Sequence, residues 1–301
     1  MTMRGRIAGL LASAVMLAGC RTAAPATDSR LAVIASFYPL AEFAQRVGGA
    51  RVRVSTLVPP GVEPHEYEPT PGEIVALKRA GVVIYNGAGF EPWLVRLLPE
   101  VPEGTVIVNA TAGLPLIESH DDQAGPGVDP HVWLDPVLAQ RQVERIAQGM
   151  IRADPPGRPV YEENVKAVTR QLQELHERFS TVLARCRRKE LLTSHAAFGY
   201  LARRYGLRQI SISGFTPEAE PTPARLRALI ETARRHDVKA IYMETLVSPR
   251  VAEVVAREVG ATVRTLNPIE GLTPAERRAK KNYVTVMHEN LTQLADGLDC
   301  R

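Results

Sequence analysis

Short apolar runs alternate with helical patterns along most of the chain. Four runs in the first half have the length and composition of buried strands: 31–36, 52–58, 82–85 and 105–109. Four more follow in the second half: 191–193, 209–212, 239–243 and 262–266. Between them, apolar positions recur at helical spacing at 39–47, 73–79, 136–153, 196–205, 223–236, 249–259 and 276–298. This alternation predicts an α/β protein with two similar lobes, each holding a mostly parallel sheet covered by helices.

One stretch between the two halves has a different pattern. Apolar side chains recur at helical spacing across 159–187, and no glycine or further proline follows Pro159 in this stretch. At about 1.5 Å per residue, such a helix spans roughly 43 Å, which is enough to cross from one lobe to the other. We therefore expect an N-terminal lobe at 31–158, a linking helix at 159–187 and a C-terminal lobe at 188–301.

The start of the chain indicates a secreted protein attached to a membrane. Two arginines precede an apolar run at 7–17, which is typical of a signal peptide and too short for a spanning helix. The Leu-Ala-Gly-Cys sequence ending at Cys20 resembles the lipidation signal of bacterial lipoproteins. We expect a signal peptide at 1–19, then a lipidated Cys20 and a flexible tether over 20–30. The alternative is an ordinary signal peptide with an incidental cysteine.

Composition narrows the function further. The 301 residues are 45% hydrophobic and 23% charged, which is typical of a globular protein. A net charge of +4 is small for this length and only 5% of residues are aromatic, so no nucleic-acid partner is indicated. Functions that need ATP, NAD or nucleic acid are also disfavoured outside the cytoplasm.

Three of the seven histidines lie where a predicted strand gives way to a loop or helix. These are His65, His131 and His195. Open α/β sheets bind ligands at the carboxyl ends of their strands, so each imidazole lies where a ligand would sit. Neutral imidazole is the commonest metal ligand, and three of them suit Zn²⁺ as well as Cu or Ni. The alternative is three unrelated surface or capping histidines.

The other four histidines have simpler interpretations. His176 and His288 lie within predicted helices, and His236 lies at a helix end, where a cation interacts favourably with the dipole. His120 lies in a Gly- and Asp-rich loop, either as a transient capture site for metal or as part of a solvated polar loop.

Six segments carry a resemblance to a known family. In chain order they are GVEPHEYEPTP, GAGFEPWL, DPHVWLDP, TSHAAFGYLARRYGL, TPEAEPTP and LNPIEGLT. With them the chain resembles the zinc- and manganese-binding solute-binding lipoproteins of bacterial ABC importers, and in particular the zinc branch. The resemblance covers nearly all of the chain after the signal peptide. It implies two α/β lobes joined by a rigid helix, a metal in the cleft, an ABC permease as partner, and a monomer anchored to the membrane by lipid.

The resemblance also implies the metal ligands. It assigns His65 and His131 from the N-terminal lobe and His195 from the C-terminal lobe. One branch of the family has an aspartate as fourth ligand where this chain has Asn267, and a neutral amide is a poor substitute. The zinc branch uses a glutamate three positions later, which matches Glu270.

Glu244 is the reserve ligand. It follows the predicted strand at 239–243 and could instead support a ligand from behind. Manganese-binding members have a carboxylate at the position of His195, whereas three imidazoles and one carboxylate favour Zn²⁺. Mn²⁺ is therefore the alternative metal, and we expect protons to compete with zinc for the imidazoles on acidification.

The histidines, together with the resemblance, predict a high-affinity zinc-binding protein that delivers the ion to an ABC permease, and not an enzyme. Four protein ligands leave no open coordination position, whereas catalytic zinc keeps one for water. The alternative is a zinc-dependent hydrolase with three histidines, a water and Glu270 as general base, but the sequence has no His-Glu-x-x-His motif. Relatives are also described as adhesins, a role that no residue pattern in this chain encodes.

The last two cysteines allow two interpretations. Cys186 ends the predicted linking helix and Cys300 is the penultimate residue. An extracytoplasmic compartment permits a disulfide between them, and the alternative is two free thiols. Because both lie at helix ends and away from the strand ends, neither is expected to bind the metal.

Overall fold

The structure is a computed structural model that describes residues 28–119, 127–217 and 221–301. The predicted signal peptide, Cys20 and His120 lie outside the described residues. Among the helices that are described, none combines the length and hydropathy needed to cross a bilayer.

The N-terminal lobe is built on a parallel sheet of four strands. These are β1 (Leu31–Ala35), β2 (Val52–Thr56), β3 (Val82–Tyr85) and β4 (Val106–Asn109). Their order across the sheet is β2-β1-β3-β4, and Leu31 pairs with Val52 and Val33 with Val82. A short antiparallel pair, β5 (Glu118–Ser119) and β6 (Gly127–Val128), follows this sheet and leads to His131.

The C-terminal lobe repeats the same topology. Its strands are β7 (Glu190–Thr193), β8 (Arg208–Ser211), β9 (Ala240–Met243) and β10 (Thr262–Thr265). All pairs are parallel and the order is β8-β7-β9-β10, so in both sheets the first strand lies between the second and the third. The two sheets confirm the prediction of two similar α/β lobes, although sequence similarity between the halves is too weak to establish a repeat. The exact lobe boundaries stay a prediction.

Ten α-helices complete the described part of the chain. They are α1 (Tyr38–Gly48), α2 (Pro71–Leu77), α3 (Pro92–Val95), α4 (Pro136–Ala153), α5 (Arg158–Leu183), α6 (Gly199–Tyr205), α7 (Pro223–Arg235), α8 (Arg250–Val259), α9 (Pro274–Arg278) and α10 (Tyr283–Gly297). Proline at the first turn of most of these helices fits a position whose N–H needs no intrahelical partner.

The long helix α5 is the backbone of the molecule. It packs against α1, α4 and α10, and its buried face includes Leu172, Leu175 and Phe179. One hydrophobic core runs from the first sheet through α5 into the near side of the second lobe. A smaller core, which includes Leu229 and Val255, fills the far side of the second lobe. Because the main core is shared, the lobes should tilt only slightly relative to each other.

The linking helix and the final helix differ most informatively from the sequence predictions. The linking helix ends at Leu183, four residues before the predicted end. The chain turns there so that Cys186 can form a disulfide with Cys300, and the Lys189 ammonium donates to the Leu183 carbonyl. The disulfide ties the end of α5 to the C-terminus of the chain.

The predicted final helix at 276–298 is two helices, α9 and α10. Lys280, between them, has φ of 54°, which a continuing helix cannot accommodate. Asn282 then caps α10, since its side chain accepts from the Thr285 N–H at 3.0 Å. The helical pattern of apolar residues runs through this break, so periodicity alone does not reveal it.

Candidate metal centre

Four loops bring the predicted ligands to one point between the lobes. His65 lies in the loop after β2, and His131 follows β6 by three residues. His195 follows β7 by two residues, and Glu270 lies in the loop after β10. The loops after β2, β7 and β10 leave the carboxyl ends of parallel strands, where such sheets place their ligands.

Five of the six distances among the converging atoms of the four side chains are nearly equal, and all six are within 4.8 Å. The Nε2 atom of His131 lies 3.4 Å from that of His65 and 3.3 Å from that of His195. The Oε1 atom of Glu270 lies 3.4, 3.3 and 3.5 Å from the Nε2 atoms of His65, His131 and His195. Four ligands about 2.0–2.1 Å from a tetrahedral ion are separated by about 3.3–3.4 Å. The measured separations match that spacing.

The cluster is enclosed by the protein. His131 and His195 are fully buried, and His65 and Glu270 are only 7% and 2% exposed. Burying a charged carboxylate among imidazoles is costly unless a proton or a cation balances it. The enclosed donor set is therefore suited to one small cation without its hydration shell.

Two further carboxylates hold the histidines from behind. The Asp129 Oδ1 atom lies 2.8 Å from Nδ1 of His131 and also accepts the His131 backbone N–H at 2.9 Å. The Glu244 Oε1 atom lies 2.5 Å from Nδ1 of His195 and accepts the Ser194 hydroxyl. A carboxylate at Nδ1 keeps a proton there, which leaves the lone pair of Nε2 for a cation at the centre.

Electrostatics in the metal-free cluster favour ionised Glu270. Burial tends to raise the pKa of this carboxyl, but hydrogen bonds from the three imidazoles hold it well below its usual value. Burial tends to lower the pKa of His195, but Glu244 and Glu270 raise it well above its usual value. The pKa of His131 is raised against burial by Asp129 and Glu270, whereas burial lowers the pKa of His65. Protons therefore occupy part of the site until a cation replaces them.

Comparison with known proteins decides the family. The ZnuA family, described as zinc-uptake complex component A, periplasmic, matches residues 33–297. The chain belongs to this family. The high-affinity zinc uptake system protein ZnuA of Bacillus subtilis is 36% identical over 300 residues, covering 96% of this chain and 94% of that protein.

Two other proteins extend the comparison. The zinc-binding lipoprotein AdcA of Streptococcus pneumoniae is 34% identical, and the match covers 98% of this chain and 61% of AdcA. The structure of its Zn(II)-bound ZnuA-like domain is 35% identical, with a TM-score of 0.79 over 90% of this chain and 99% of the domain. The structure of the laminin-binding protein Lmb of Streptococcus agalactiae is 31% identical, with a TM-score of 0.80 over 89% of this chain and 99% of Lmb. Lmb is described as a bifunctional protein with adhesin and metal transporting activity.

Membership of the ZnuA family confirms the prediction of an extracytoplasmic solute-binding protein rather than an enzyme. It also fits the enclosed site, because a carrier needs to hold an ion and not to activate water on it.

Asn267, at the position of the alternative ligand, supports the ligand loop. Its Oδ1 accepts the Ile269 N–H at 2.7 Å and its amide donates to Glu276 at 3.0 Å. Ile269 has φ of 60°, a conformation that few residues other than glycine adopt. The indole of Trp133, from the other lobe, donates to the Pro268 carbonyl at 2.7 Å. These bonds fix the backbone from which Glu270 reaches the centre.

A tyrosine and an arginine of the C-terminal lobe bind the loop that carries His131. The Tyr200 hydroxyl donates to the Asp129 carbonyl at 2.8 Å and accepts the Ile117 N–H at 3.0 Å. Arg204 forms an ion pair with Asp135 at 2.7 Å, and Asp135 also caps α4. The loop that carries His131 is thus held partly by the opposite lobe.

Asp129 is not among the site residues predicted from the sequence. A signal was present, because the Asp-Pro-His order lets the aspartate accept from the backbone N–H two residues later. That turn places the same oxygen beside the imidazole. Glu244 was identified by its position after a strand, and it lies behind His195 rather than among the four converging atoms.

Proposed function

We propose that this protein captures Zn²⁺ outside the cytoplasm through His65, His131, His195 and Glu270 and delivers it to an ABC permease. The observation that carries the proposal is the convergence of three Nε2 atoms and one carboxylate oxygen, 3.3–3.5 Å apart in five of the six pairs, in a buried cluster. Membership of the ZnuA family and the Zn(II)-bound structure of the AdcA domain support zinc as the cargo.

The donor set favours zinc over manganese. Three imidazoles and one carboxylate in a compact tetrahedral arrangement suit Zn²⁺, whereas Mn²⁺ prefers more oxygen ligands in larger coordination shells. The affinity order of divalent metals also places Zn²⁺ above Mn²⁺ at such a site. Mn²⁺ is therefore expected to bind only weakly.

Release of the ion requires a change in the spacing of the lobes. The N-terminal lobe supplies two of the proposed ligands, His65 and His131. The C-terminal lobe supplies the other two, His195 and Glu270. A tilt that moves the two pairs of ligands apart by a few tenths of an ångström lengthens several metal bonds together. A permease that binds the tilted form more tightly would therefore weaken zinc binding. The shared core and α5 limit the motion to such small shifts.

The chain is proposed to act as a monomer anchored through lipidated Cys20. The apolar run at 7–17 followed by Leu-Ala-Gly-Cys supports the anchor, and AdcA is a lipoprotein. A tether over 20–30 would leave both lobes free to meet the permease at the membrane surface. Metabolic labelling with a fatty acid, lost in Cys20→Ser, tests the anchor.

Titration of the purified protein with zinc against a chromophoric chelator tests the proposal. We expect one zinc per chain and much weaker binding of manganese in competition. His195→Ala should weaken zinc binding by at least about a hundredfold, because it removes one of four bonds to the ion. The control is His176→Ala, since His176 lies on α5 and contacts Tyr205 instead. Unchanged affinity in His195→Ala, or absence of stoichiometric zinc in the wild-type protein, would overturn it.

A further inference from the structure

The GAGFEPWL segment supplies no metal ligand, yet it places a buried carboxylate at a corner of the N-terminal sheet. Glu91 is 1% exposed. Its Oε1 accepts the Ser36 hydroxyl and the Asn86 N–H, each at 2.7 Å, and its Oε2 accepts the Gly87 N–H at 3.1 Å. In the described part of the chain no lysine or arginine pairs with it, and burial raises its pKa to about 7. A carboxyl group in such an environment is costly to keep and calls for a specific role.

The equivalent corner of the other lobe shows what such a carboxylate can do. Ser36 is the first residue after β1, and Ser194 is the first after β7, the equivalent strand. Each serine hydroxyl donates to a buried glutamate, Glu91 in one lobe and Glu244 in the other. Glu244 orients His195 directly through Nδ1. The repeated arrangement suggests that Glu91 serves the N-terminal ligands.

Glu91 reaches the loop of His131 through Asn86. Because the backbone N–H of Asn86 is bound to Glu91, its side chain is held in place to donate to the Pro130 carbonyl at 2.8 Å. The side-chain amide of Gln142 donates to the side-chain oxygen of Asn86 at 3.0 Å. The peptide before His131 is therefore fixed by a residue that Glu91 anchors.

Glu91 reaches the loop of His65 through its two neighbours along the segment. The indole of Trp93 donates to the Pro64 carbonyl at 3.1 Å, immediately before His65. The ring of Phe90 packs edge-on against the imidazole of His65, with 4.5 Å between centroids. One short segment thus contacts both N-terminal ligand loops.

The backbone of the segment needs a buried hydrogen-bond acceptor to hold its shape. Gly87, Ala88 and Gly89 all have positive φ, at 81°, 52° and 80°. This unusual turn directs the N–H groups of Asn86 and Gly87 toward one point, where the Glu91 carboxylate accepts both. Without that acceptor the two buried N–H groups would be unsatisfied, and the turn would relax.

We propose that Glu91 is a positioning residue of the metal site, whose buried carboxylate fixes the 86–93 segment and thereby sets the placement of His65 and His131. This rests on the proposed zinc site. Glu91 touches neither the metal nor a ligand nitrogen, and it acts through Asn86, Phe90 and Trp93.

Glu91→Gln tests the proposal with little change in volume. The amide NH₂ must face Gly87 or the pair formed by Asn86 and Ser36, so at least one buried donor loses its acceptor. We expect zinc affinity to fall by about tenfold or more, as for other groups that support ligands from behind. With Co²⁺ at saturation, the visible absorption of the tetrahedral site should weaken or shift, because the two N-terminal imidazoles are displaced.

Val255→Ala is the matched control. Val255 is fully buried in the separate core of the C-terminal lobe, so its truncation should lower the thermal midpoint without altering zinc affinity or the Co²⁺ spectrum. If Glu91→Gln behaves like this control, with a lower midpoint but unchanged affinity and spectrum, Glu91 is only structural and the proposal is overturned.

Ser36→Ala keeps the test decisive if Glu91→Gln does not fold. It removes one hydrogen bond to Glu91, and zinc affinity should fall by about three- to tenfold with a smaller spectral change in the same direction. Ser36→Ala with wild-type affinity and spectrum would also overturn the proposal. Wild-type protein that fails to bind zinc at all would instead refute the proposed function.

Discussion

Zinc affinity should fall steeply when the pH is lowered from 7 to 5. The raised pKa values of His131 and His195 mean that these imidazoles hold protons above the usual range, since Asp129, Glu244 and Glu270 surround them. Zinc needs the Nε2 lone pairs and must displace those protons. Competition therefore begins at a higher pH than it would for an isolated imidazole, and it strengthens as the pH falls. Glu270, whose pKa is depressed, stays ionised and adds no competing proton in this range.

The size of the effect follows from the number of protons displaced. The three Nε2 atoms lie too close together for all three to carry protons, with 3.3 and 3.4 Å between neighbours. Two imidazoles have raised pKa values, so binding should release between one and two protons. Each displaced proton changes the affinity by about tenfold per pH unit, or about 1.4 kcal/mol. Between pH 7 and pH 5 the dissociation constant should therefore rise by at least about a hundredfold.

Chelator competition across a pH series measures the affinity, and calorimetry in buffers of different ionisation enthalpy counts the protons released. In Glu244→Gln the pKa of His195 loses its main support, so fewer protons should be released near pH 7 than in the wild-type protein. An affinity that changes by less than about threefold between pH 7 and pH 5 would refute the buried three-histidine site.

Three further predictions follow from the contacts around the site and the linking helix. Asp129→Asn and Glu244→Gln should each weaken zinc binding by about 10- to 100-fold, because His131 or His195 loses the carboxylate at its Nδ1 atom. Chelator competition measures the affinity, and a wild-type value in either variant would contradict the prediction. Replacing Cys186 and Cys300 by serine should lower the free energy of unfolding by about 2–5 kcal/mol in urea titration, since the disulfide spans a sequence separation of 114, while zinc affinity stays unchanged. Phe179→Ala should cost about 3–5 kcal/mol in the same titration, as its ring is fully buried in the shared core, and a cost below about 1 kcal/mol would count against α5 as a packed spine.

The large-scale organisation could be predicted from the sequence because it depends on patterns that repeat over many residues. Apolar runs of strand length identify both sheets, and helical spacing across Leu172, Leu175 and Phe179 identifies α5. The end of α5 and the break before α10 could not be predicted this way. They are set by the pairing of Cys186 with Cys300 and by the positive φ of Lys280, neither of which periodicity records.

The converging side chains could be predicted for a different reason. His65 and His195 follow predicted strands of the two different sheets, and ligands bind at the carboxyl ends of such strands, so a shared site is predictable. His131 instead follows the short antiparallel strand β6, which the apolar pattern does not predict. The groups behind them were harder to find. Asp129 lies only two residues from His131, whereas Glu91 bonds to residues distant in sequence, such as Ser36, 55 positions away. Such partners become visible only when the fold has placed the strand ends side by side.

The identity of Glu270 as fourth ligand rested on family resemblance rather than on residue chemistry. Asn267, Glu244 and Glu270 all follow strands of the same lobe. The structure separates them by what each side chain contacts: Asn267 bonds to its own loop, Glu244 to Nδ1 of His195, and Glu270 to three Nε2 atoms. Only the last arrangement leaves a carboxylate oxygen facing the centre.

Diffraction from crystals of the zinc-loaded protein, recorded on both sides of the zinc absorption edge, tests the central claim most directly. We predict one strong anomalous peak per chain, about 2.0–2.1 Å from the Nε2 atoms of His65, His131 and His195 and about 2.0–2.2 Å from a carboxylate oxygen of Glu270. A zinc peak elsewhere, or one not bonded to all four of these side chains, would contradict the site.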